Sequence, residues 1–191
     1  MQSKNYSVVF RLIHWSITFA VFFILITIFL RLTWMNKNNM AEIAQNYLTK
    51  EGISITQDQA FALAKKIRNP MWNWHIYAGY VLAGLFGIRF IIPLFGSMKF
   101  QNPLAKNQAG IEKFKNWTYI VFYACIVVTL STGLLMKFGP EALSEPCEDI
   151  HVLSLYYLIP FIVIHLVGVL KAEFTNQKGI VSSVIRGKMD K

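Results

Sequence analysis

Four histidines are the residues whose type and position best predict chemistry in this chain, because all of them fall inside or at the edge of long apolar stretches: His14, His75, His151 and His165. Ionisable side chains within a membrane are costly and usually mark function, whereas a lone histidine there can simply hydrogen-bond a neighbouring helix. A single histidine of this kind could be explained as a helix-packing residue. Four of them predict a common functional role as ligands.

The stretch from Asp149 to Gly168, DIHVLSLYYLIPFIVIHLVG, carries two of these histidines fourteen residues apart. In one straight helix, a rise of about 1.5 Å and a rotation of about 100° per residue place His151 and His165 about 21 Å apart along the axis and about 40° apart around it. The spacing therefore predicts that a single helix offers one ligand to each of two stacked sites.

The elements that position the histidines are predicted to be membrane-spanning helices. Hydrophobic residues make up 54% of the 191-residue chain and charged residues only 15%. A bilayer is crossed by about 20 mainly apolar residues, and a soluble protein with four such helices would have too little polar chain to cover them. We predict an all-α fold, an integral membrane four-helix bundle that forms one domain over residues 1–191, with spans at about 8–31, 72–95, 116–137 and 150–170.

The outer loop between the first and second spans, residues 32–71, is predicted to be partly helical. Residues Met40 to Leu48 show the helical spacing of apolar side chains, and Thr56 to Gln59 resembles a capping box that opens a second helix. Asn69 and Pro70 are predicted to end that helix. Residues 171–191 are predicted to form a cytoplasmic tail.

The net charge of +9 does not indicate nucleic acid, because the lysines and arginines lie between and beside the spans rather than on one basic face. More of them lie on the inner side if both termini are cytoplasmic, and most of the acidic residues then lie outside, as the positive-inside rule expects. No small-residue cleavage site follows the first apolar run, so it is predicted to be a retained span rather than a signal peptide. The predicted location is a membrane that the chain crosses several times, with both termini in the cytoplasm.

Depth in the membrane predicts which histidines meet. His14 and His165 lie near the inner ends of their spans, and His75 and His151 lie near the outer ends. Apart from Asp149 at the outer edge, no acidic residue lies within a span, so each site has two imidazoles and no carboxylate. A b-type haem fits this requirement, because its iron takes two axial histidines and its flat porphyrin lies between helices.

Two alternatives remain beside this interpretation. A metal-ion transporter would be expected to combine histidine with carboxylate ligands, often as i, i+4 pairs on one helix, and neither feature occurs in this sequence. A structural membrane subunit that uses its histidines as helix contacts would not require them to share depths. Cys125 and Cys147 are predicted to remain unpaired, and no Cys-x-x-Cys-His signature indicates covalently attached haem.

Three further residues are candidates for contact with a haem. Arg89 follows His75 by fourteen residues and Arg11 precedes His14 by three, so either arginine could pair with the propionates of the inner haem. Anchoring at the inner membrane surface explains the same two arginines. Gly79, one turn after His75, would leave room for a porphyrin ring, although glycine is also common where membrane helices pack.

Three short motifs resemble those of the bacterial cytochrome b561 family, which is similar to the cytochrome b subunits of nickel–iron hydrogenases: Arg11-Leu-Ile-His14-Trp15, Trp74-His75-x-x-x-Gly79 followed by Arg89, and the pair His151 and His165. The resemblance covers roughly residues 8–170. It implies two haems b on the four histidines and electron transfer between a membrane quinone and a partner.

The sequence does not identify the redox partner or the oligomeric state. Because a haem iron with two histidine ligands has no open position, the chemistry is predicted to be electron transfer without binding a reactant at the metal. The outer partner would be a periplasmic redox subunit, a soluble cytochrome or a small species such as superoxide. The sequence does not separate a free-standing quinone-linked oxidoreductase from a subunit of a larger enzyme, or a homo-oligomer from a hetero-oligomer.

Overall fold

The computed structural model describes residues 6–96, 100, 102, 104, 109–175 and 178–187. Throughout these residues the regular structure is helical, which confirms the predicted all-α class. Two short 3-10 turns, Ile92–Phe95 and Glu141–Leu143, accompany the α-helices, which are α1 Val8–Leu32, α2 Lys37–Lys50, α3 Gln57–Ile91, α4 Gly110–Phe138, α5 Ser144–Val152, α6 Ser154–Phe174 and α7 Ile180–Arg186.

Among the described residues, four segments are long and apolar enough to cross a membrane, as predicted: Val8–Leu32, Gln57–Phe95, Gly110–Phe138 and Glu141–Phe174. Their large apolar side chains are widely exposed, as in Phe19 of α1, which is 68% exposed. A helix that is hydrophobic on all sides needs an apolar solvent rather than water. The protein is therefore a multi-pass membrane protein whose exposed apolar surface faces lipid.

The loop after the first span is helical in the two places that the sequence indicates. Helix α2 includes the predicted stretch, and Asn36 begins it by accepting a hydrogen bond from the backbone N–H of Asn38 at 2.9 Å. At the start of α3 the backbone N–H of Thr56 donates to Gln59 Oε1 at 2.9 Å, and the N–H of Gln59 donates to Thr56 Oγ1 at 3.3 Å. This reciprocal pair is the predicted capping box.

Helix α2 packs against the first turns of α3 through small residues. Ala41, Ala60 and Ala64 are buried, and Met40, Ile55 and Phe61 pack around them. Alanine allows two helices to approach closely and has no side-chain entropy to lose on burial. We call residues 37–68 the α2 hairpin.

The prediction that Asn69 and Pro70 end a helix is wrong. Helix α3 runs without a break from Gln57 to Ile91, with Pro70 inside it. A proline removes one backbone hydrogen bond, but membrane helices tolerate this where neighbouring groups satisfy the freed carbonyl. The α2 hairpin is therefore continuous with the second span, and His75 and Arg89 belong to one uninterrupted helix.

The last span is interrupted where the sequence predicts a straight helix. Helix α5 ends at Val152 and α6 begins at Ser154, and the Leu153 N–H donates to the Ile150 carbonyl at 3.2 Å in a tighter i, i+3 turn. His151 therefore lies in the last turn of α5, while His165 lies in α6. The straight-helix separation of about 21 Å and about 40° does not apply across this break.

The chain divides into two compact units, His14–Ile88 and the combination of Met1–Ile13 with Arg89–Lys191. In the second unit, α7 is held at both ends by charged side chains. The Glu173 carboxylate accepts hydrogen bonds from the N–H groups of Gly179 and Val181, each at 2.9 Å, and Arg11 Nη1 donates to the carbonyl of Ile185 at 2.9 Å. An acid at the first turn and a base at the last complement the helix dipole.

Candidate haem-ligand histidines

His75 is oriented by a threonine of α1. A hydrogen bond of 2.9 Å connects His75 Nδ1 and Thr27 Oγ1. The same hydroxyl donates a hydrogen bond to the carbonyl of Ile24 at 2.6 Å. A hydroxyl has one proton, so Thr27 acts as the acceptor toward the imidazole. The hydrogen-bond network thus assigns the proton to Nδ1, which leaves the metal-binding lone pair on Nε2.

The ring of His75 is also held by an aromatic neighbour. Trp72 stacks on it with the ring centroids 4.4 Å apart and the planes within 4°. The guanidinium carbon of Arg31 lies 4.0 Å from the centroid of the Trp72 ring. Trp72 therefore helps to fix the plane of a candidate ligand.

His151 is oriented by the backbone and a threonine of α4. Its Nδ1 atom lies 3.0 Å from the carbonyl oxygen of Thr129 and 3.3 Å from Thr132 Oγ1. A carbonyl only accepts, and the Thr132 hydroxyl donates its proton to the carbonyls of Val128 and Thr129. Nδ1 is therefore the donor to both, and Nε2 again carries the lone pair.

Gly133 of α4 lies directly against the His151 ring. A Cβ atom added at Gly133 would be 3.0 Å from His151 Cε1 and 3.4 Å from Nδ1. These distances are shorter than ordinary van der Waals contact, so a side chain there would displace the imidazole. The glycine allows the ring to reach the carbonyl of Thr129.

His165 has an aromatic environment instead. Its Nδ1 atom lies 3.0 Å from the hydroxyl oxygen of Tyr119. Phe161 stacks beside its ring, with centroids 5.9 Å apart and planes within 13°, and Phe161 in turn stacks on Phe122 at 3.6 Å. Either atom of the Tyr119 pair can donate, so this contact fixes the orientation of the ring but not its tautomer.

His14 lies half-buried in α1, with Trp15 edge-on to its ring at a centroid distance of 5.6 Å and an angle of 77°. Its backbone carbonyl accepts a hydrogen bond from Thr18 Oγ1 at 2.8 Å. His14 and His75 belong to one compact unit, and His151 and His165 belong to the other. Each predicted pair takes one histidine from each unit, so both pairings stay predictions.

The two candidate arginines contact groups other than the histidines. Arg11 donates to Ile185 and packs against Gly187, where an added Cβ would lie 2.9 Å from its Cζ atom, and its Nε atom is buried with no hydrogen-bond partner among the described residues. The Arg89 guanidinium lies over aromatic rings, 4.3 Å from the centroid of Phe100 and 5.5 Å from that of Tyr123. Contact of either arginine with a propionate stays a prediction.

At Gly79 the structure has open space, since an added Cβ would meet no atom of the described residues within 4 Å. Among those residues there is also no group of three or more His, Cys, Asp and Glu side chains that could hold a metal ion. A haem iron needs only two protein ligands because the porphyrin supplies the others. Imidazoles such as those of His75 and His151, whose Nδ1 atoms are held by hydrogen bonds, are therefore suitable as haem ligands.

Sequence reasoning missed the residues that orient the histidines: Thr27, Trp72, Tyr119, Thr129, Thr132 and Gly133. A weak signal was present, because hydroxyl residues inside apolar spans have few other partners and often hydrogen-bond across helices. Spacing could have indicated Trp72, which precedes His75 by three residues in α3. It cannot assign the other residues, since each of their contacts joins two different helices.

A family model described as prokaryotic cytochrome b561 matches residues 5–187, which is nearly the whole chain. The chain belongs to the prokaryotic cytochrome b561 family. Comparison with curated proteins and with solved structures gave no match.

Membership of the cytochrome b561 family identifies the protein as a membrane b-type cytochrome that takes part in electron transfer. The family implies binding of haem b. This agrees with the donor set described above, in which the Nδ1 atoms of His75, His151 and His165 take part in hydrogen bonds. Such outer partners fix the tautomer and strengthen the ligand.

Proposed function

We propose that this cytochrome b561 carries two haems b, with His14 and His165 as the axial ligands of an inner haem and His75 and His151 as those of an outer haem. The observation that carries the proposal is the anchoring of Nδ1. In His75 and His151 the proton is assigned to Nδ1, so that Nε2 has the lone pair that iron requires. In His165 the Tyr119 hydroxyl allows the same tautomer.

Bound haem b would supply reversible one-electron chemistry, and the four histidines would hold its iron. The role of the chain is to hold the imidazoles and exclude water. Thr27, Thr132 and the backbone carbonyl of Thr129 accept hydrogen bonds from Nδ1 and prevent rotation of the rings, and Trp72 and Phe161 limit ring tilt. No Asp or Glu lies inside the apolar parts of the four spans, so the chain offers no carboxylate relay for protons.

The proposed substrate on the lipid side is a membrane quinone, because a hydrophobic quinone can approach a haem edge from the bilayer. A periplasmic redox subunit, a cytochrome or a small oxidant or reductant is proposed to exchange electrons at the outer side. The chain is proposed to act as one domain in a bacterial inner membrane, with both termini in the cytoplasm. Arg11 and Arg89 are proposed to approach the inner propionates, and Gly79 to face the outer ring.

The test is the haem content and the reduced-minus-oxidised absorption spectrum of the purified protein and of its histidine variants. We expect about two haems per chain. His75→Ala or His151→Ala should remove the outer haem and largely spare the inner one, and His14→Ala or His165→Ala should do the reverse. Helical content by circular dichroism provides the folding control.

Two results would contradict the proposal. Protein that stays colourless after expression with an ample porphyrin supply would exclude haem binding. The histidines would then be assigned to metal-ion transport or to helix packing. Loss of both haems in a well-folded single variant would contradict the pairing. The orientation is checked separately with accessibility tags, and tags that label the two termini from the periplasm would overturn it.

A further inference from the structure

A basic pocket lies beside the end of α1 and the stretch of α3 that leads into the apolar span. It has a volume of about 130 Å³ and is formed within one compact unit. Its lining residues are Arg31, Lys65, Arg68, Asn69, Met71 and Trp72. Three of these six side chains are cations and none is acidic.

The charges of this pocket favour an anion. Like charges that converge on one small cavity repel each other, most strongly where water is partly excluded by apolar walls, and a bound anion relieves that repulsion. Arginine and lysine donate strong, charge-assisted hydrogen bonds to phosphate and carboxylate groups, and arginine can do so with two parallel bonds. The amide of Asn69 adds a neutral donor.

The position of the pocket favours a phosphate over a carboxylate. Arg31 is in the last turn of a predicted span, and Trp72 is an aromatic residue of the kind that lies at the membrane interface. Phospholipid headgroups carry their phosphates at this level of a bilayer. Met71 and Trp72 give the wall an apolar part that suits the glycerol and upper chain of a lipid.

We propose that this pocket binds one phosphate group, with Arg31, Lys65 and Arg68 neutralising its charge, either as the headgroup of an anionic phospholipid or as a free phosphate ion. The site does not depend on the proposed haem ligation. The pocket nevertheless lies next to the proposed ligand His75, because Arg31 contacts Trp72 and Trp72 stacks on His75. A bound phosphate would hold Arg31 in place and so restrict Trp72.

The lipid arm of the test is native mass spectrometry of the full-length protein purified in a neutral detergent and mixed with phosphatidylglycerol. The pocket variant is the double substitution Lys65→Gln and Arg68→Gln. The matched control is Lys50→Gln with Lys66→Gln, which removes two positive charges from exposed positions of the same hairpin outside the pocket. Circular dichroism and thermal melting confirm that all three proteins fold.

We expect the wild type and the control to retain one phosphatidylglycerol that the pocket variant binds at least about tenfold more weakly, since each charge-assisted hydrogen bond contributes roughly one factor of ten. Lys65→Arg, which keeps the charge, should retain the lipid. Equal binding by the wild type, the pocket variant and the control would overturn the proposal, because it would show general attraction between lipid and a basic protein.

The second arm separates the two sources of phosphate. Inorganic phosphate is titrated into lipid-free protein by calorimetry, and then into protein that has bound phosphatidylglycerol. Saturable phosphate binding that only the pocket variant loses, without lipid retention, identifies a free-ion site. Lipid retention that phosphate does not displace identifies a headgroup site. Absence of both forms of binding in the wild type would refute the proposal, whatever the haem content proves to be.

Discussion

His151 and His165 lie in the same predicted span, but different kinds of partner hold their Nδ1 atoms. His151 donates to a backbone carbonyl and a threonine of α4, and a glycine on that helix makes room for its ring. His165 contacts the hydroxyl of Tyr119 and lies among stacked aromatic rings. One imidazole is fixed by backbone geometry and the other by side chains.

This difference affects how each site responds to substitution. A backbone carbonyl cannot be removed by changing a side chain, and it can only accept, so it determines the tautomer of His151. A tyrosine hydroxyl can be removed by a single change, and it can accept or donate. We therefore expect the position of the His151 ring to be insensitive to removal of a polar side chain and sensitive to a larger residue beside it. The position of the His165 ring should be sensitive to removal of the polar side chain and less sensitive to added volume.

The largest effect is expected from filling the space beside His151. In Gly133→Val, the added carbon atoms would overlap the imidazole, because a Cβ alone already lies 3.0 Å from Cε1. The ring should leave the carbonyl of Thr129, and the haem content should fall from about two to about one per chain. Pyridine haemochrome assay against protein concentration measures this ratio.

Gly84→Val is the matched control, because an added Cβ at Gly84 meets no described atom within 4 Å. It should keep the wild-type haem content. If Gly133→Val also keeps a full haem content and an unchanged spectrum, the close contact does not position the ligand.

A smaller effect is expected from Tyr119→Phe, which removes the hydroxyl next to His165 but keeps the aromatic ring. If Nδ1 donates to this hydroxyl, its loss makes the imidazole a weaker donor to iron and raises the reduction potential of one haem. A hydrogen bond of about 1 kcal/mol that acts only on the oxidised state corresponds to a shift of about 40 mV. Potentiometric titration of the absorption spectrum measures it.

Tyr156→Phe, which changes an exposed tyrosine of α6, is the control and should leave both potentials unchanged. A fall of the potential in Tyr119→Phe would mean that the tyrosine donates to Nδ1, which would contradict a proton on Nδ1 of His165.

The smallest effect is expected at Thr132. Thr132→Val removes the weaker partner of His151 at 3.3 Å, and the carbonyl of Thr129 remains at 3.0 Å. The corresponding variant Thr27→Val removes the hydroxyl that lies 2.9 Å from His75 Nδ1. We expect the second variant to shift the potential of the outer haem more than the first, as read by the same titration. A larger shift in Thr132→Val would show that its hydroxyl, not the carbonyl, orients His151.

Much of the fold could be predicted because it depends on local patterns. Apolar runs predicted the four spans, and the reciprocal bonds of Thr56 and Gln59 were legible as a capping box. Two local rules failed. Pro70 does not end α3, since membrane helices tolerate proline, and the last span breaks at Leu153, where no glycine or proline marks a turn.

The candidate site was predicted in part for a related reason. An imidazole in an apolar run is visible in the sequence, and so is its approximate depth. The partners of that imidazole are not visible, because Thr27 and Tyr119 lie on other helices, 48 and 46 residues away from the histidines that they contact. Which hydroxyl meets which ring depends on how the helices pack, and one sequence does not determine that.

The contact between Arg11 and the Ile185 carbonyl limits how the chain can thread the bilayer. One partner stands near the beginning of the first crossing, and the other belongs to the short helix after the last. A hydrogen bond of 2.9 Å cannot extend across a layer of hydrocarbon about 30 Å thick. An odd number of crossings is therefore incompatible with this bond, and reporters fused to either terminus should label the same compartment.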